Sequence, residues 1–166
     1  HSTYHWRQIG WVGNELHEIV PHVYADADLA GCPQTQRSTT GGHLAVEGSY
    51  TRFPLNGVSK RQTSISNSSA ESETVAGHTV TKNLLIPALD LCYTLLPGKY
   101  EAVFHEDNQA MRQIVLTGRN RTMKHLGRIH RIAIGILNEQ LGNSQTKLNV
   151  SMIYGKSCNM AADIYT

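Results

Sequence analysis

Ser68-Ser69-Ala70-Glu71-Ser72-Glu73-Thr74-Val75-Ala76-Gly77 is the stretch at which this chain changes character. Ahead of it, short apolar runs alternate with turn residues; from it onward, apolar residues recur at helical spacing. Ser68 or Ser69 suits a helix N-cap, and acids at Glu71 and Glu73 suit the positive end of the helix dipole. The helix is expected to reach about Leu85, with Pro87 marking a break or a fresh start. At about 3.6 residues per turn, Glu73 shares a face with Ala76, Gly77, Val80 and Leu84, and that face must pack inward. Glu71 aligns instead with Val75, His78 and Lys82, a more polar face, and reads as a capping or dipole residue.

Working upstream, His22-Val23-Tyr24-Ala25-Asp26-Ala27-Asp28 reads as a strand with acids at its end. A second strand is expected at 42–47 and a third near 54–60, after the Gly48-Ser49 turn, which makes an antiparallel meander. Residues 1–21 are poorly patterned and read as a connector from something upstream. Working downstream, Tyr100-Glu101-Ala102-Val103-Phe104-His105 is a fourth strand, leading into a helix at 108–117. Gly118-Arg119-Asn120 is a loop, 122–141 a long helix, 147–154 a fifth strand, and a last helix starts near Asn159. Its buried stripe is read as Leu126, Ile129, Ala133, Ile136 and Leu137 on the long helix. The order βββ-α-β-α-α-β-α is an α/β plan: a five-stranded mixed sheet flanked by helices.

The bulk numbers permit this and exclude other classes. The 166 residues fit one domain, and a hydrophobic content of 40% supports a real core. A net charge of +2 allows a nucleic-acid partner without arguing for one. Cys32, Cys92 and Cys158 lie far apart with no CxxC pair, so neither a disulfide framework nor a cysteine zinc site is expected. The nine histidines are scattered, with His1 and His5 the one pair at helical spacing. No apolar run is long enough to span a membrane, and the N-terminus does not read as a signal peptide, so an intracellular protein is expected.

Acids stand at the ends of four elements: Asp26, Glu73, Asp107 and Asp163. Carboxylates from separate elements make the hard-oxygen cage that Mg²⁺ prefers, and paired ions suit phosphodiester displacement. A buried acid on a sheet-facing stripe is costly without a partner, and a metal ion would be one; this favours Glu73 over Glu71. Asp26 and Asp28, two apart on a strand, point to the same side, and either could be the ligand on geometry alone. For gripping phosphates, Lys124, Arg128 and Arg131 share a face of the expected 122–141 helix, Arg119 and Arg121 precede it, and Lys60-Arg61 follow the third strand.

A set of short motifs carries a family resemblance. Tyr24-Ala25-Asp26-Ala27-Asp28-Leu29-Ala30-Gly31, Arg37-Ser38-Thr39-Thr40-Gly41, Ser59-Lys60-Arg61-Gln62, Ser69-Ala70-Glu71-Ser72-Glu73, His105-Glu106-Asp107-Asn108-Gln109-Ala110, Lys124-His125-Leu126 and Ala161-Ala162-Asp163-Ile164-Tyr165-Thr166 occur in order. Together they resemble the ribonuclease H domain of copia-type retrotransposons, from about residue 22 to the end. The resemblance implies a ribonuclease H-like fold over 22–166, truncated at its C-terminus, with 1–21 connecting from an upstream reverse transcriptase. It implies cleavage of the RNA strand of RNA–DNA hybrids by two Mg²⁺ ions, Mn²⁺ being possible. Asp26, Glu73, Asp107 and Asp163 are the implied ligands, with Asp26, Glu73 and Asp107 around one ion and Asp26 and Asp163 around the other. It also implies a cytoplasmic retrotransposon particle as the setting. Asn108, Gln109 and Ser38 are candidates for contacting the hybrid. Leu29, Thr74 and Ser69-Ala70 depart from the usual pattern, and the loop at 154–159 lacks the histidine that many such enzymes carry before the last aspartate. The glutamate comes second among the acids, unlike the D-D-E order of integrases that share the fold. The competing expectation is a recruited, non-catalytic domain serving as a structural or binding subunit.

Overall fold

The computed structural model describes residues 2–95, 101–142 and 148–166. β1 (Val20–Ala27), β2 (Thr39–Gly48) and β3 (Thr51–Arg61) form the antiparallel meander. β4 (Ala102–Glu106) pairs parallel to β1, and β5 (Val150–Tyr154) parallel to β4, giving the mixed sheet order β3-β2-β1-β4-β5. The five-strand α/β plan stands, with strand bounds shifted by a few residues. Of the expected fourth and fifth strands, Tyr100 and Lys147 lie outside the described residues.

α1 (Ser69–Val80) starts at Ser68, whose hydroxyl oxygen accepts from the Glu71 N–H. It does not stop near Leu85: a π-type turn (Thr81–Leu85) carries it into α2 (Ile86–Leu95), so Pro87 sits in the first turn of α2. Val80, Leu84 and Leu85 share one buried core with Val23 and Ala25 of β1 and Phe104 of β4, and Ala76 is fully buried. The helix lies close to the sheet at Gly42, where a Cβ would stand 2.7 Å from a Val80 methyl. α3 (Gln109–Thr117) adds Met111, Ile114 and Val115 to this core and ends at Gly118, whose φ of 66° is the left-handed region that glycine tolerates.

The continuous helix expected over 122–141 is two pieces: α4 (Leu126–Ile129) and α5 (Ile134–Leu141). Arg131 takes a φ of 57° between them. That turn buries Ile132 beside Leu126, whose carbonyl accepts the N–H groups of both His130 and Ile132. The buried stripe is corrected with it: Leu126 and Leu137 are buried, but Ile129, Ala133 and Ile136 are exposed. The last helix is replaced by two single 3₁₀ turns, Ser157–Asn159 and Asp163–Tyr165. This segment lies on the sheet face opposite α1, where Met160 and Ala162 pack on Tyr24 and Tyr165 stacks on His43. The rest of that face is polar, with Tyr24 stacked on His105 beside a cavity of about 670 Å³.

Ahead of β1 the chain has one 3₁₀ turn, Leu16–Glu18, and otherwise runs irregularly over the β2–β3 hairpin. Gly13 N–H donates to Thr51 Oγ1 at 3.1 Å and Tyr50 N–H to Asn14 Oδ1 at 2.7 Å. The three cysteines are free thiols, and among the described residues no helix is long and apolar enough to cross a membrane.

Candidate metal centre

β1 and β4 are parallel neighbours, so their carboxyl ends lie side by side, and α1 returns over them. This brings ligand oxygens of Asp26, Glu73 and Asp107 within 4.8 Å of one another. Thr166 Oγ1 donates to Asp26 at 2.8 Å, and Ser157 Oγ donates to Asp107 at 2.6 Å, so both carboxylates are oriented from the C-terminal segment. Asp28, the alternative on the same strand, is turned to the Thr39 N–H and fastens the start of β2. Asp163 stands exposed and outside the three-acid group, although Asp26 and Asp107 are near enough to raise its pKa after burial has done so.

Glu73 is buried where the helix face required it. Its Oε2 has no hydrogen-bond partner among the described residues. Burial, then the negative charge of Glu106, Asp26 and Asp107, push its pKa up to about 10. Asp26 is raised as well, by burial first and then by Asp107 and Asp28, with the Thr166 hydroxyl opposing.

Glu106 is the residue that the sequence reading passed over. It ends β4 with no exposed surface, one of its oxygens accepts from the Asn108 N–H at 3.1 Å, and the other has no partner among the described residues. Burial and the neighbouring acids Asp107 and Asp26 hold its pKa well above the usual carboxylate range. The signal was available: strand alternation puts Glu106 on the same side as Ala102 and Phe104, which is the core side. The donor set is therefore all hard carboxylate oxygen, crowded and short of positive charge, and it fits a divalent cation such as Mg²⁺ or Mn²⁺.

Glu71 is also buried but is fully partnered. Asn67 N–H donates to Oε2 at 3.1 Å, and Nε2 of His125 and of His130 contact Oε1 at 3.1 and 3.0 Å. Burial pushes its pKa up, but the Asn67 N–H and the two histidines together outweigh burial and hold it below the ordinary value. Its capping role is real and is joined to a second one, pinning the 123–132 segment onto α1.

Of the expected nucleic-acid contacts, Lys60 and Arg61 are exposed at the end of β3, and Gln109 is exposed at the start of α3. Asn108 is spent on capping α3, its Oδ1 accepting from the Met111 N–H. Ser38 is fully buried, its oxygen accepting from the Ala30 N–H, so it is a structural residue. Arg119, Arg121 and Lys124 line one concavity of about 530 Å³. With the helix broken, Arg128 on α4 and Arg131 in the break share no helical face with Lys124; all three are exposed.

No protein-family profile matches the chain, and no curated protein does. Among solved structures, the N-terminal RNase H domain of a Mycobacterium tuberculosis protein, solved as a fusion with maltose-binding protein, superposes with a TM-score of 0.51. The match covers 89% of this chain and 91% of that one at 15% identity. The fold is ribonuclease H-like. At that identity the likeness concerns the fold alone.

Proposed function

We propose that the chain is a divalent-metal-dependent nuclease that hydrolyses the RNA strand of RNA–DNA hybrids. The carrying observation is the meeting of Asp26, Glu73 and Asp107 within 4.8 Å. Asp26, Glu73 and Asp107 would hold the metal, with Asp163 as a further ligand from the C-terminal turn. The bound ions supply an acidified water and charge stabilisation at the phosphorus. The chain's own part is orientation: Thr166 and Ser157 fix two of the carboxylates, and burial keeps Glu73 dry. Phosphate contacts fall to Lys60, Arg61, Gln109, Arg119, Arg121, Lys124, Arg128 and Arg131, all exposed. The copia-type resemblance supports a setting in reverse transcription, joined to a polymerase domain within a retrotransposon polyprotein, inside the cell.

The purified chain, given a labelled RNA–DNA hybrid and Mg²⁺, should cut the RNA strand and leave DNA intact. EDTA or Asp107→Asn should stop it. One observation favours a second reading: Asp163 stands outside the acid group. If a folded sample cuts nothing in Mg²⁺ or Mn²⁺ while still binding the hybrid, the domain serves as a binding or structural subunit.

A further inference from the structure

α1 has a second face that the acid cluster leaves unused, running along Glu71, Val75 and His78. His130 lies over it with its side chain only 1% exposed. Its Nε2 is committed to Glu71, which leaves Nδ1 buried and without a partner among the described residues. The same ring lines a cavity of about 160 Å³ together with His78, Lys60, Arg61, Thr63 and Val75, and no carboxylate lines it. A water occupies about 30 Å³, so a tetrahedral oxyanion fits with room for solvent.

We propose that this cavity is a phosphate-binding site, with Lys60 and Arg61 as its cationic grip and the imidazoles of His130 and His78 as its floor. Arg61 offers a planar fork suited to two oxygens of one phosphate, and Lys60 a mobile point charge beside it. Facing His130 are Glu71 and, on the same oxygen, His125 from one side, and Lys60, Arg61 and His78 from the cavity. With Nε2 on Glu71, Nδ1 is the ring nitrogen left to face a phosphate oxygen. A phosphate group here comes either from a nucleic-acid backbone, in which case the site rests on the nuclease reading and grips the strand beyond the acids, or from the free ion.

The test reads the imidazole nitrogens of the ¹⁵N-labelled chain by NMR, with EDTA present and ionic strength held constant by sodium chloride. Inorganic phosphate is titrated in one arm and a short, uncut RNA–DNA hybrid in the other. The expected result is saturable movement of the His130 and His78 signals. Lys60→Ala with Arg61→Ala should weaken that binding about tenfold or more, since a charge-assisted contact is lost twice, while the His130 Nε2 contact to Glu71 persists. Response to the hybrid at lower concentration, reversed by added phosphate, assigns the site to a backbone; response to phosphate alone assigns it to the free ion. Signals that stay still in both arms, or a double variant that binds like the parent, overturn the site. Since nothing is cleaved, a catalytically dead chain with these signals intact separates failure of the nuclease reading from failure of this one.

Discussion

Two glutamates stand two residues apart in the first turns of α1, both buried, and their surroundings solve opposite problems. Glu71 is given an N–H and two imidazoles, and its negative charge is matched within the protein. Glu73 is given three more acids and an orphaned oxygen, with only the backbone N–H of Ala27 set against them among the described residues. A fold that only needed stability would treat the two alike. The contrast marks Glu71 as structural and Glu73 as held ready for a partner from solution.

Breaking the pair one member at a time should give effects in different currencies. Glu73→Gln is expected to cut hybrid cleavage by about three orders of magnitude or more, in the range lost with key groups at a phosphoryl site, without loss of melting temperature. Glu71→Gln should do the reverse. It leaves two imidazole nitrogens poorly matched at a buried site, at about 2–3 kcal/mol, or a fall of roughly 4–12 °C for a chain of this size. Circular dichroism melts beside a cleavage assay check both. A Glu73→Gln chain that melts early but cuts normally would reverse the assignment.

The contrast sharpens with pH. Glu73 and Glu106 stay protonated in the folded chain far above the ordinary glutamate value of 4.5, Glu73 to about 10. Unfolding therefore releases protons between those values, and stability of the metal-free chain falls as pH rises across that window. Mg²⁺ or Mn²⁺ should flatten the fall, most at the alkaline end, because the cation replaces the protons. Melts with and without metal at several pH values test this; a metal-free chain that gains stability on the alkaline side rules it out. Glu106→Gln should stabilise the metal-free chain by about 1–3 kcal/mol through relieved burial and repulsion, raising its melting temperature, and make the fall shallower.

The sequence carried the contrast only in part. Helical spacing was enough to put Glu73 inward, because Ala76, Gly77, Val80 and Leu84 define that face without help from the rest of the chain. It was not enough for Glu71, whose burial depends on His125 and His130 arriving from more than fifty positions away. Glu106 was readable from strand alternation, yet a charged residue next to the D-N-Q motif looks like surface until the strand end is placed among the other acids. The five strands and their mixed sheet followed from the element order, whereas the spatial order β3-β2-β1-β4-β5 came from the pairing alone. The C-terminal segment is the least legible: its contacts are single turns on a sheet face, with no periodicity to announce them.

The smallest effect lies where helical periodicity misled most. Residues 122–141 carry apolar residues at helical spacing and no proline, so the periodicity favours a continuous helix despite Gly127 and Gly135. What overrides it is tertiary: His130 is drawn onto Glu71, and Ile132 must then turn inward to bury beside Leu126. Arg131 absorbs the turn at a φ of 57°, which costs a non-glycine residue roughly 1 kcal/mol. Arg131→Gly should therefore stabilise the chain slightly, by about 0.5 kcal/mol once the freer unfolded chain is counted, whereas Arg131→Ala should gain nothing. In a continuous helix the order inverts, with alanine stabilising and glycine losing about 1 kcal/mol. Urea titration of the two variants distinguishes these cases. Lower hybrid affinity in both, by a similar factor, would separate the lost charge from the relieved backbone.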